Sequence, residues 1–256
     1  MNPVTIEPIR AFKDNYIWCL RRDRSAVVVD PGEAGPVFKY LEAEGLQLEA
    51  ILATHHHADH VGGITNLLAK YNVPVFGPKR ETIPGMTRNL AQDDEIDVPG
   101  VGMRMRILDI PAHTAGHIAY FGEGVLFSGD TLFSCGCGRL FEGSPAQMHS
   151  SLSKLAALPG ETLVFCGHEY TLSNLRFAAA ADAANPAIGD RERSARAALD
   201  RGNPSLPSTI RDELAANPFL RVGEPALIES ASRFAGRTVT DPVEVFAALR
   251  EWKDRF

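Results

Sequence analysis

A short segment crowded with metal-binding side chains constrains this chain more than any other feature. The segment 54–60 reads Thr-His-His-His-Ala-Asp-His, so that His55, His57, Asp59 and His60 stand at spacings i, i+2, i+4 and i+5. Imidazole and carboxylate are ligands that zinc, manganese and iron accept. A strand followed by a tight loop and a helix start directs the first two histidines one way, and the aspartate and last histidine toward a second nearby position. The pattern predicts a two-metal site, and paired metals usually perform hydrolysis.

Short apolar strands alternate with turns and helices over the first 170 or so residues. The strand predicted at 50–53 delivers the histidine-rich segment at its carboxyl end, and a helix is predicted at 61–71. Further strands are predicted at 26–29, 74–76, 103–110, 118–121, 125–127 and 162–166, and further helices at 37–44 and 145–158. This alternation predicts an α/β (α+β) fold.

Three more ligand-type residues each follow a predicted strand. They are His113, Asp130 and His168. Side chains at the ends of several strands can converge on one edge of a sheet system, where sites of α/β proteins are normally built. A lone histidine or aspartate at such a place is rarely a ligand, but together with the dense segment at 54–60 the three predict one shared metal site.

The pattern changes after about residue 170, where strand signals vanish. Short helices are predicted at 172–184, 191–201, 207–216, 225–234 and 243–253, with prolines between them. We therefore predict two domains, a catalytic domain at 1–170 and a small all-helical domain at 171–256.

Composition excludes several classes of protein. The 256 residues carry a net charge of −6 without a block of Lys or Arg, which argues against nucleic acid as a partner. No apolar stretch approaches the roughly 20 residues that span a bilayer, and the amino terminus lacks a secretory pattern. Four scattered cysteines are not a disulfide framework. We expect a cytoplasmic protein without a membrane partner, and a monomer, because no long exposed apolar stripe is evident.

Longer motifs resemble one family. The segment 54–60 with His113, Asp130 and His168 is similar to the metallo-β-lactamase superfamily. Within that superfamily the chain resembles glyoxalase II in the segments Asp14-Asn15-Tyr16, His113-Thr114-Ala115-Gly116-His117, Gly129-Asp130-Thr131-Leu132-Phe133, Gly136-Cys137-Gly138-Arg139, Cys166-Gly167-His168-Glu169-Tyr170-Thr171 and Asp241-Pro242-Val243, followed by Arg250 and Lys253. The resemblance covers essentially the whole chain.

The resemblance implies a fold, a reaction and a set of ligands. The implied fold is an αββα sandwich with a small helical carboxyl-terminal domain, and the implied reaction is hydrolysis of S-D-lactoylglutathione to glutathione and D-lactate. Two divalent metal ions would act, with zinc expected and iron or manganese as alternatives. The implied ligands of the first ion are His55, His57 and His113, those of the second are Asp59, His60 and His168, and Asp130 bridges both. Asp59 would also orient the attacking hydroxide.

The resemblance also implies a binding site for glutathione, whose carboxylates require cations and hydroxyl groups. Arg139, Tyr170, Arg250 and Lys253 would hold its glycine end. The family more often has Lys and Tyr where this chain has Arg139 and Phe141. The arginine keeps the charge, and Phe141 could contribute only its backbone.

Other polar residues near these motifs are predicted to serve different roles. His56 alternates out of phase with its neighbours, and His117 is followed by a strand, so neither is expected to be a ligand. Asp30 could be a partner of the histidine-rich loop or a simple turn residue. Cys19 and Cys166 are predicted to lie in the core.

Four alternatives remain at this point. A persulfide dioxygenase with a single iron shares the same histidine motif but generally lacks the helical domain. A nuclease of the superfamily would require a basic groove, and a β-lactamase would normally be exported. A structural metal module would usually be rich in cysteine ligands, unlike this set.

Overall fold

The computed structural model describes residues 2–256, which divide into two compact units. The first unit comprises the residues up to Asp109 together with Thr114–Gly129, and the second comprises Ile110–His113 together with Asp130–Phe256. No helix within the described part of the chain is both long and apolar enough to cross a membrane.

The first unit begins with a mixed six-stranded sheet of order β1-β2-β3-β4-β5-β6. Its strands are β1 Thr5–Ala11, β2 Asn15–Arg22, β3 Ser25–Val29, β4 Gln47–Leu52, β5 Val75–Pro78 and β6 Arg88–Leu90. Strands β1 to β3 are antiparallel and strands β3 to β6 are parallel. Parallel strands are buried on both faces, which explains the unbroken apolar run of β3. Their shared direction brings the carboxyl ends of β3 and β4 to one edge, next to Asp30 and Thr54.

The first unit also contains four antiparallel strands of order β10-β9-β8-β7. They are β7 Glu95–Val98, β8 Met103–Asp109, β9 Ile118–Gly122 and β10 Val125–Gly129. The strands predicted at 118–121 and 125–127 are confirmed as β9 and β10, which form a hairpin, and Glu123 and Gly124 at its turn both have positive φ, as the favoured two-residue turn requires. In β8 the exposed Arg104 and Arg106 alternate with buried neighbours, which confirms a half-buried strand.

Three helices complete the first unit: α1 Ala34–Glu44, α2 Ala58–Val61 and α3 Ile64–Leu68. The helix predicted at 61–71 is present only in part, as α3, and does not run unbroken from Val61. Gly62 and Gly63 interrupt it, and the backbone N–H of Gly63 donates to the carbonyl of Pro31 at 2.9 Å. A Cβ atom at Gly63 would lie 2.6 Å from that carbonyl oxygen, so the interruption allows the chain to press against the loop after β3.

The second unit is mainly helical. It contains β11 Leu132–Phe133, β12 Gly136–Cys137, α4 Pro145–Ala156, β13 Leu163–Cys166, α5 Thr171–Ala181, α6 Pro186–Asp200, β14 Ser208–Thr209, α7 Ile210–Ala216, α8 Pro225–Ala235 and α9 Pro242–Arg255. Helix α6 begins earlier than predicted because Pro186 occupies its first position and the Asn185 side chain caps it. The helices after residue 170 are confirmed. The predicted boundary between domains at 1–170 and 171–256 stays a prediction, because the division into compact units does not show which part of the chain folds independently.

The core of each unit contains a cysteine that was predicted to be buried. Cys19 is fully buried in the cluster beneath the mixed sheet, together with Ile51 and Leu67. In the second unit, Phe177 and Phe219 stack with ring centroids 5.8 Å apart. Cys166 is also buried, so the prediction of core positions for Cys19 and Cys166 is confirmed.

Candidate metal centre

One carboxylate ties the ends of β3 and β4 together. Asp30 accepts hydrogen bonds from the backbone N–H of Thr54 at 2.7 Å and from its hydroxyl at 2.8 Å. The aspartate is buried, and a buried carboxylate requires such donors to offset the loss of water. Of the two roles considered for Asp30, the structure favours that of a partner of the histidine-rich loop.

The hydrogen bonds of Thr54 assign the proton of the first histidine. Because the Thr54 hydroxyl donates to Asp30, the Nδ1 of His55, which is 3.0 Å from the same hydroxyl oxygen, must be a donor. His55 then presents a lone pair on Nε2, which lies 3.2 Å from Nδ1 of His57. Two nitrogen ligands of one tetrahedral zinc ion lie about 3.3 Å apart, given Zn–N bonds of roughly 2.0–2.1 Å. The two rings therefore have the spacing of ligands that share a cation.

His60 is oriented by the same aspartate. Its Nδ1 lies 3.1 Å from Oδ2 of Asp30, and since a carboxylate can only accept, Nδ1 carries the proton. The opposite nitrogen, Nε2, lies 3.6 Å from Oδ2 of Asp59. Asn15 donates from Nδ2 to that oxygen at 3.1 Å. Asp59 and His60 thus form a second group of donor atoms beside His55 and His57.

His56 takes part in a different network, as predicted for a residue that alternates out of phase. Its Nδ1 lies 3.1 Å from Oε2 of Glu81. The other oxygen of Glu81 accepts from the backbone N–H of Gly116 at 3.0 Å and from the hydroxyl of Thr114. Glu81 therefore links the histidine-rich loop to the turn that follows His113.

His117 packs against a ligand candidate. Its ring stacks on that of His55, with centroids 4.6 Å apart and an angle of 16° between the planes. Its Nδ1 donates to the carbonyl of Ile118 at 3.0 Å. A Cβ atom at Gly129 would lie 2.7 Å from Nε2 of His117, so glycine is required at the end of β10. His117 accordingly supports the His55 ring.

In the second unit, one carboxylate oxygen lies between two imidazole rings. Oδ2 of Asp130 is 3.5 Å from Nε2 of His113 and 3.3 Å from Nε2 of His168. The carbonyl of Arg139 accepts from Nδ1 of His113 at 2.9 Å, which leaves the lone pair of that ring on Nε2. All three side chains are buried. The arrangement matches an aspartate whose oxygen faces two metal-binding histidines.

The side chains in both units fit divalent cations. The candidates in the first unit are His55, His57, Asp59 and His60, and those in the second are His113, Asp130 and His168. In His55, His60 and His113 the proton lies on Nδ1, which faces an oxygen acceptor. The Nε2 atom of each ring faces another ligand candidate of the same unit. Such outward hydrogen bonds are a common feature of metal-binding histidines. Nitrogen and carboxylate oxygen together suit zinc, iron and manganese.

Two aromatic residues predicted to bind substrate lie against ligand candidates. The ring of Tyr170 stacks on His168, with centroids 4.6 Å apart and planes 7° apart. Phe141 packs edge-on against His113 at 5.2 Å and remains 62% exposed. Both rings belong to the second unit and flank the two histidines that face Asp130.

The three predicted cations meet near the end of α9. Arg250 is only 5% exposed and donates to the carbonyl of Cys137 at 2.8 Å and to Asp254 at 3.0 Å. The exposed Arg139 lies 3.4 Å from the same carboxylate. Arg250 is therefore engaged with the backbone, whereas Arg139 is accessible to a ligand.

Lys253 has an unusual electrostatic environment. Its Nζ donates to the carbonyl of Ser173 at 3.2 Å and lies over the ring of Phe177. Burial, followed by the positive charge of Arg250, lowers the pKa of Lys253 to about 8. An anion bound nearby would favour the charged form.

The sequence analysis missed two residues that contact this centre. Asn15 lies in a quoted motif but has no predicted role, and Glu81 lies in no motif. Both reach the histidine-rich loop from strands and turns that are distant in sequence. The sequence signal for a role of Asn15 was its position as a polar residue at the very start of a buried strand.

Comparisons with known proteins identify the family. Residues 12–168 match the model of the metallo-β-lactamase superfamily, and residues 169–256 match that of the hydroxyacylglutathione hydrolase C-terminus. The chain is 53% identical over 253 residues to the hydroxyacylglutathione hydrolase of Nitrosomonas europaea, covering 99% of this chain and 97% of the relative. It is 56% identical over 252 residues to that of Alkalilimnicola ehrlichii, covering 98% of each.

Solved structures confirm the predicted fold. ETHE1 from Myxococcus xanthus superposes with a TM-score of 0.66 at 23% identity, over 98% of this chain and 97% of that one. The B3 metallo-β-lactamase BLEG-1 gives 0.62 at 24% identity, over 85% and 99%. These likenesses establish the metallo-β-lactamase fold, and the predicted helical carboxyl-terminal region accompanies it. The chain belongs to the hydroxyacylglutathione hydrolase family of the metallo-β-lactamase superfamily.

Proposed function

We propose that this chain hydrolyses S-D-lactoylglutathione to glutathione and D-lactate with the help of two divalent metal ions, the second step of methylglyoxal detoxification. The observation that carries the proposal is the Asp130 oxygen that faces Nε2 of both His113 and His168 at 3.5 and 3.3 Å. The relatives named hydroxyacylglutathione hydrolase, which align over nearly the full chain, support the substrate class.

The proposed ligands follow the sequence motifs. His55, His57 and His113 hold the first ion, Asp59, His60 and His168 hold the second, and Asp130 serves both. The fixed protons on Nδ1 of His55, His60 and His113 support this assignment, because they leave Nε2 of each ring able to bind. Zinc is the proposed metal, with iron or manganese as alternatives. TTHA1623, which is 29% identical over 66% of this chain and superposes with a TM-score of 0.52, was solved in a di-iron form and supports the iron alternative.

Once bound, divalent ions would lower the pKa of a coordinated water to about 7 and would stabilise developing negative charge on an acyl oxygen. The residues of the chain supply position and proton control. Asp59, held by Asn15 at 3.1 Å, is placed to accept a hydrogen bond from the attacking water and to aim it. A thiolate is a good leaving group, so no strong general acid is required. Asp59 and Asp130 are accordingly the proposed catalytic carboxylates.

The glutathione moiety is proposed to bind in the second unit. Arg139, Tyr170, Arg250 and Lys253 hold its glycine carboxylate, and Phe141 contributes its backbone. The environment of Lys253 supports this assignment, because burial and, after it, the positive charge of Arg250 lower the pKa of that lysine, and a bound anion would oppose this effect. In this proposal the chain has a catalytic domain, 1–170, and a helical domain, 171–256, that contributes to substrate binding.

The cellular setting is also a proposal. We propose a cytoplasmic monomer that has neither a nucleic acid nor a membrane as partner. A net charge of −6 and the absence of a basic block support the first exclusion. Four cysteines that form no disulfide bond suit a reducing compartment.

The decisive experiment measures thiol release from S-D-lactoylglutathione by purified protein, with and without prior treatment by a chelator. We expect rapid release that the chelator abolishes and zinc restores. Absence of release from a metal-loaded sample would refute the hydrolase. Oxygen uptake with glutathione persulfide by a sample with one iron would instead support the dioxygenase alternative.

A further inference from the structure

The segment from Asp130 to Arg139, here called the Asp130 loop, contains ligand contacts at both ends. It begins with the aspartate that faces two histidines, and it ends with the carbonyl that accepts from Nδ1 of His113 at 2.9 Å. Between them β11 and β12 form a tight two-stranded turn, in which Cys135 adopts a positive φ of 55°. A non-glycine residue in this conformation costs free energy, so other contacts must hold the turn in place.

Two buried side chains of the helical region bind the tip of this loop. Glu213 of α7 accepts from the backbone N–H of Cys135 at 2.7 Å. Asn217, at the end of α7, donates to the carbonyls of Phe133 at 3.2 Å and Gly136 at 2.9 Å. Asn217 also donates to Oε2 of Glu213 at 2.9 Å, so the two act as one group. Both side chains are 0% exposed.

We propose that Glu213 and Asn217 are positioning residues for the metal centre, acting through the Asp130 loop. They fix the backbone of the loop tip, and the loop in turn fixes Asp130 and the carbonyl that orients His113. The inference rests on the proposed ligand roles of Asp130 and His113. It assigns to α7 a part in metal binding, which is separate from the proposed contacts of α9 with glutathione.

The chemistry of Glu213 argues against a purely structural role. A buried carboxyl is expensive to desolvate, and an apolar side chain of similar size would often stabilise a core equally well. Burial raises the pKa of Glu213, and hydrogen bonds from Ser208, Cys135 and Asn217 oppose that rise. An apolar residue could not accept a hydrogen bond from the backbone N–H of Cys135, which holds a strained conformation.

Further contacts restrain the same tip from two other helices. Asn174 of α5 donates to the carbonyl of Ser134 at 3.0 Å, and Arg191 of α6 donates to the Ser134 hydroxyl at 3.0 Å. A Cβ atom at Gly136 would lie 2.5 Å from the Asn174 amide, so the loop and the helices fit closely. The Asn174 contact restrains the backbone of the loop, the Arg191 contact restrains the Ser134 side chain, and Ser134 is not a ligand candidate.

The test compares Glu213→Leu with Glu213→Gln. The glutamine keeps an oxygen where Oε2 accepts both N–H groups, so we expect nearly wild-type behaviour. The leucine removes the acceptor, and we expect zinc affinity, measured by competition with a chromogenic chelator, to fall about tenfold or more. We also expect kcat to fall more than KM rises, because the substrate-binding residues are retained.

Asn185→Ala is the matched control. It removes a cap from α6 and a contact to the carbonyl of Ala215, and the hydrogen bonds of Asn185 go to Asp182, Ala187 and Ala215, outside the Asp130 loop. Its zinc affinity should equal that of the wild type. If Glu213→Leu does not fold, Asn217→Ala is measured in the same way and decides the question.

Wild-type zinc affinity in a folded Glu213→Leu protein would overturn the proposal, as would an equal loss in Asn185→Ala. Zinc competition uses the metal alone and needs no substrate. A wild-type protein that binds zinc tightly but releases no thiol would therefore refute the proposed function while leaving this test intact.

Discussion

The positions of the histidine protons at the candidate metal centre follow from the neighbouring groups, because some of these groups can only accept hydrogen bonds. Asp30 accepts from Thr54 and from Nδ1 of His60, and Thr54 in turn accepts from Nδ1 of His55. One buried carboxylate therefore controls the tautomers of two histidines. A tautomer error would place a proton where a lone pair is required, so Asp30 matters even though it is not a proposed ligand.

Asp30→Asn tests this control of tautomers. The amide offers one acceptor oxygen, so its NH₂ group must take either the Oδ1 position, which faces the backbone N–H of Thr54, or the Oδ2 position, which faces the Thr54 hydroxyl and Nδ1 of His60. If it faces Nδ1 of His60, that nitrogen becomes the acceptor, the proton moves to Nε2, and the ring cannot bind a metal. We expect zinc affinity to fall about 10- to 100-fold, as measured by competition with a chelator. The exposed Asp97→Asn should leave it unchanged, and an unchanged affinity in Asp30→Asn would contradict the argument.

Asp130→Ala tests the shared ligand. Because one oxygen of Asp130 faces both His113 and His168, its loss should weaken both ions together. We expect the metal content after dialysis, measured by elemental analysis, to drop below two ions per chain, and thiol release to fall by roughly 100-fold or more in parallel. Asp130→Asn retains the volume and controls for misfolding. Full activity with one ion or none would refute the bridging role.

At the scale of elements, residues near one another in sequence were predictable and their distant partners were not. The spacing within 54–60 and the strand before it are local, so the chemistry could be inferred from the sequence. Asn15 reaches Asp59 across 44 positions, and Glu81 reaches Thr114 across 33. Such contacts depend on how strands associate, which periodicity does not encode.

The errors in element boundaries have the same origin. The helix predicted at 61–71 breaks at Gly62 and Gly63 because the loop after β3 presses against it. Before residue 26 only the apolar strand segment around Cys19 was predicted, without bounds, whereas β1 and β2 form a hairpin in the mixed sheet. Strand β2 is buried along six successive residues and lacks the alternation that reveals a half-exposed strand. Tertiary packing decided both cases.

The lowered pKa of Lys253, in the carboxyl-terminal turn of α9, predicts that the affinity for substrate depends on pH. The pKa of Lys253 is lowered to about 8 by burial and by Arg250, Arg176 and Arg139, with Cys137 opposing them. Below that pH the lysine of the free enzyme is charged and can bind a carboxylate, and above it the charge is lost. We expect KM to be flat below pH 8 and to rise above it, while kcat follows a different profile.

Lys253→Arg provides the comparison, because a guanidinium stays charged throughout the range. Its KM should remain flat from pH 7 to about 9.5, with spontaneous thioester hydrolysis subtracted. Lys253→Ala should show a raised KM already at pH 7. The same rise above pH 8 in the arginine variant would show that another group is responsible.

At the scale of the whole molecule, the four cysteines share one property although they lie in both units. All are buried, and none forms a disulfide bond. Burial raises the pKa of Cys19 and of Cys166 to about 12, and it also raises the pKa of Cys135 and of Cys137. Since the thiolate is the reactive form, each thiol is protected both by low access and by protonation at neutral pH.

Labelling of these thiols should therefore report unfolding and not the native surface. We expect an aromatic disulfide reagent at pH 8 to modify well under one thiol per native chain within minutes, and four thiols in denaturant. Slow labelling of Cys19 would follow opening of the first unit, and labelling of the other three would follow opening of the second, which peptide mass analysis can separate. Rapid labelling of any native cysteine would disprove its burial. Inert protein thiols would also allow the glutathione released by the enzyme to be measured with the same reagent.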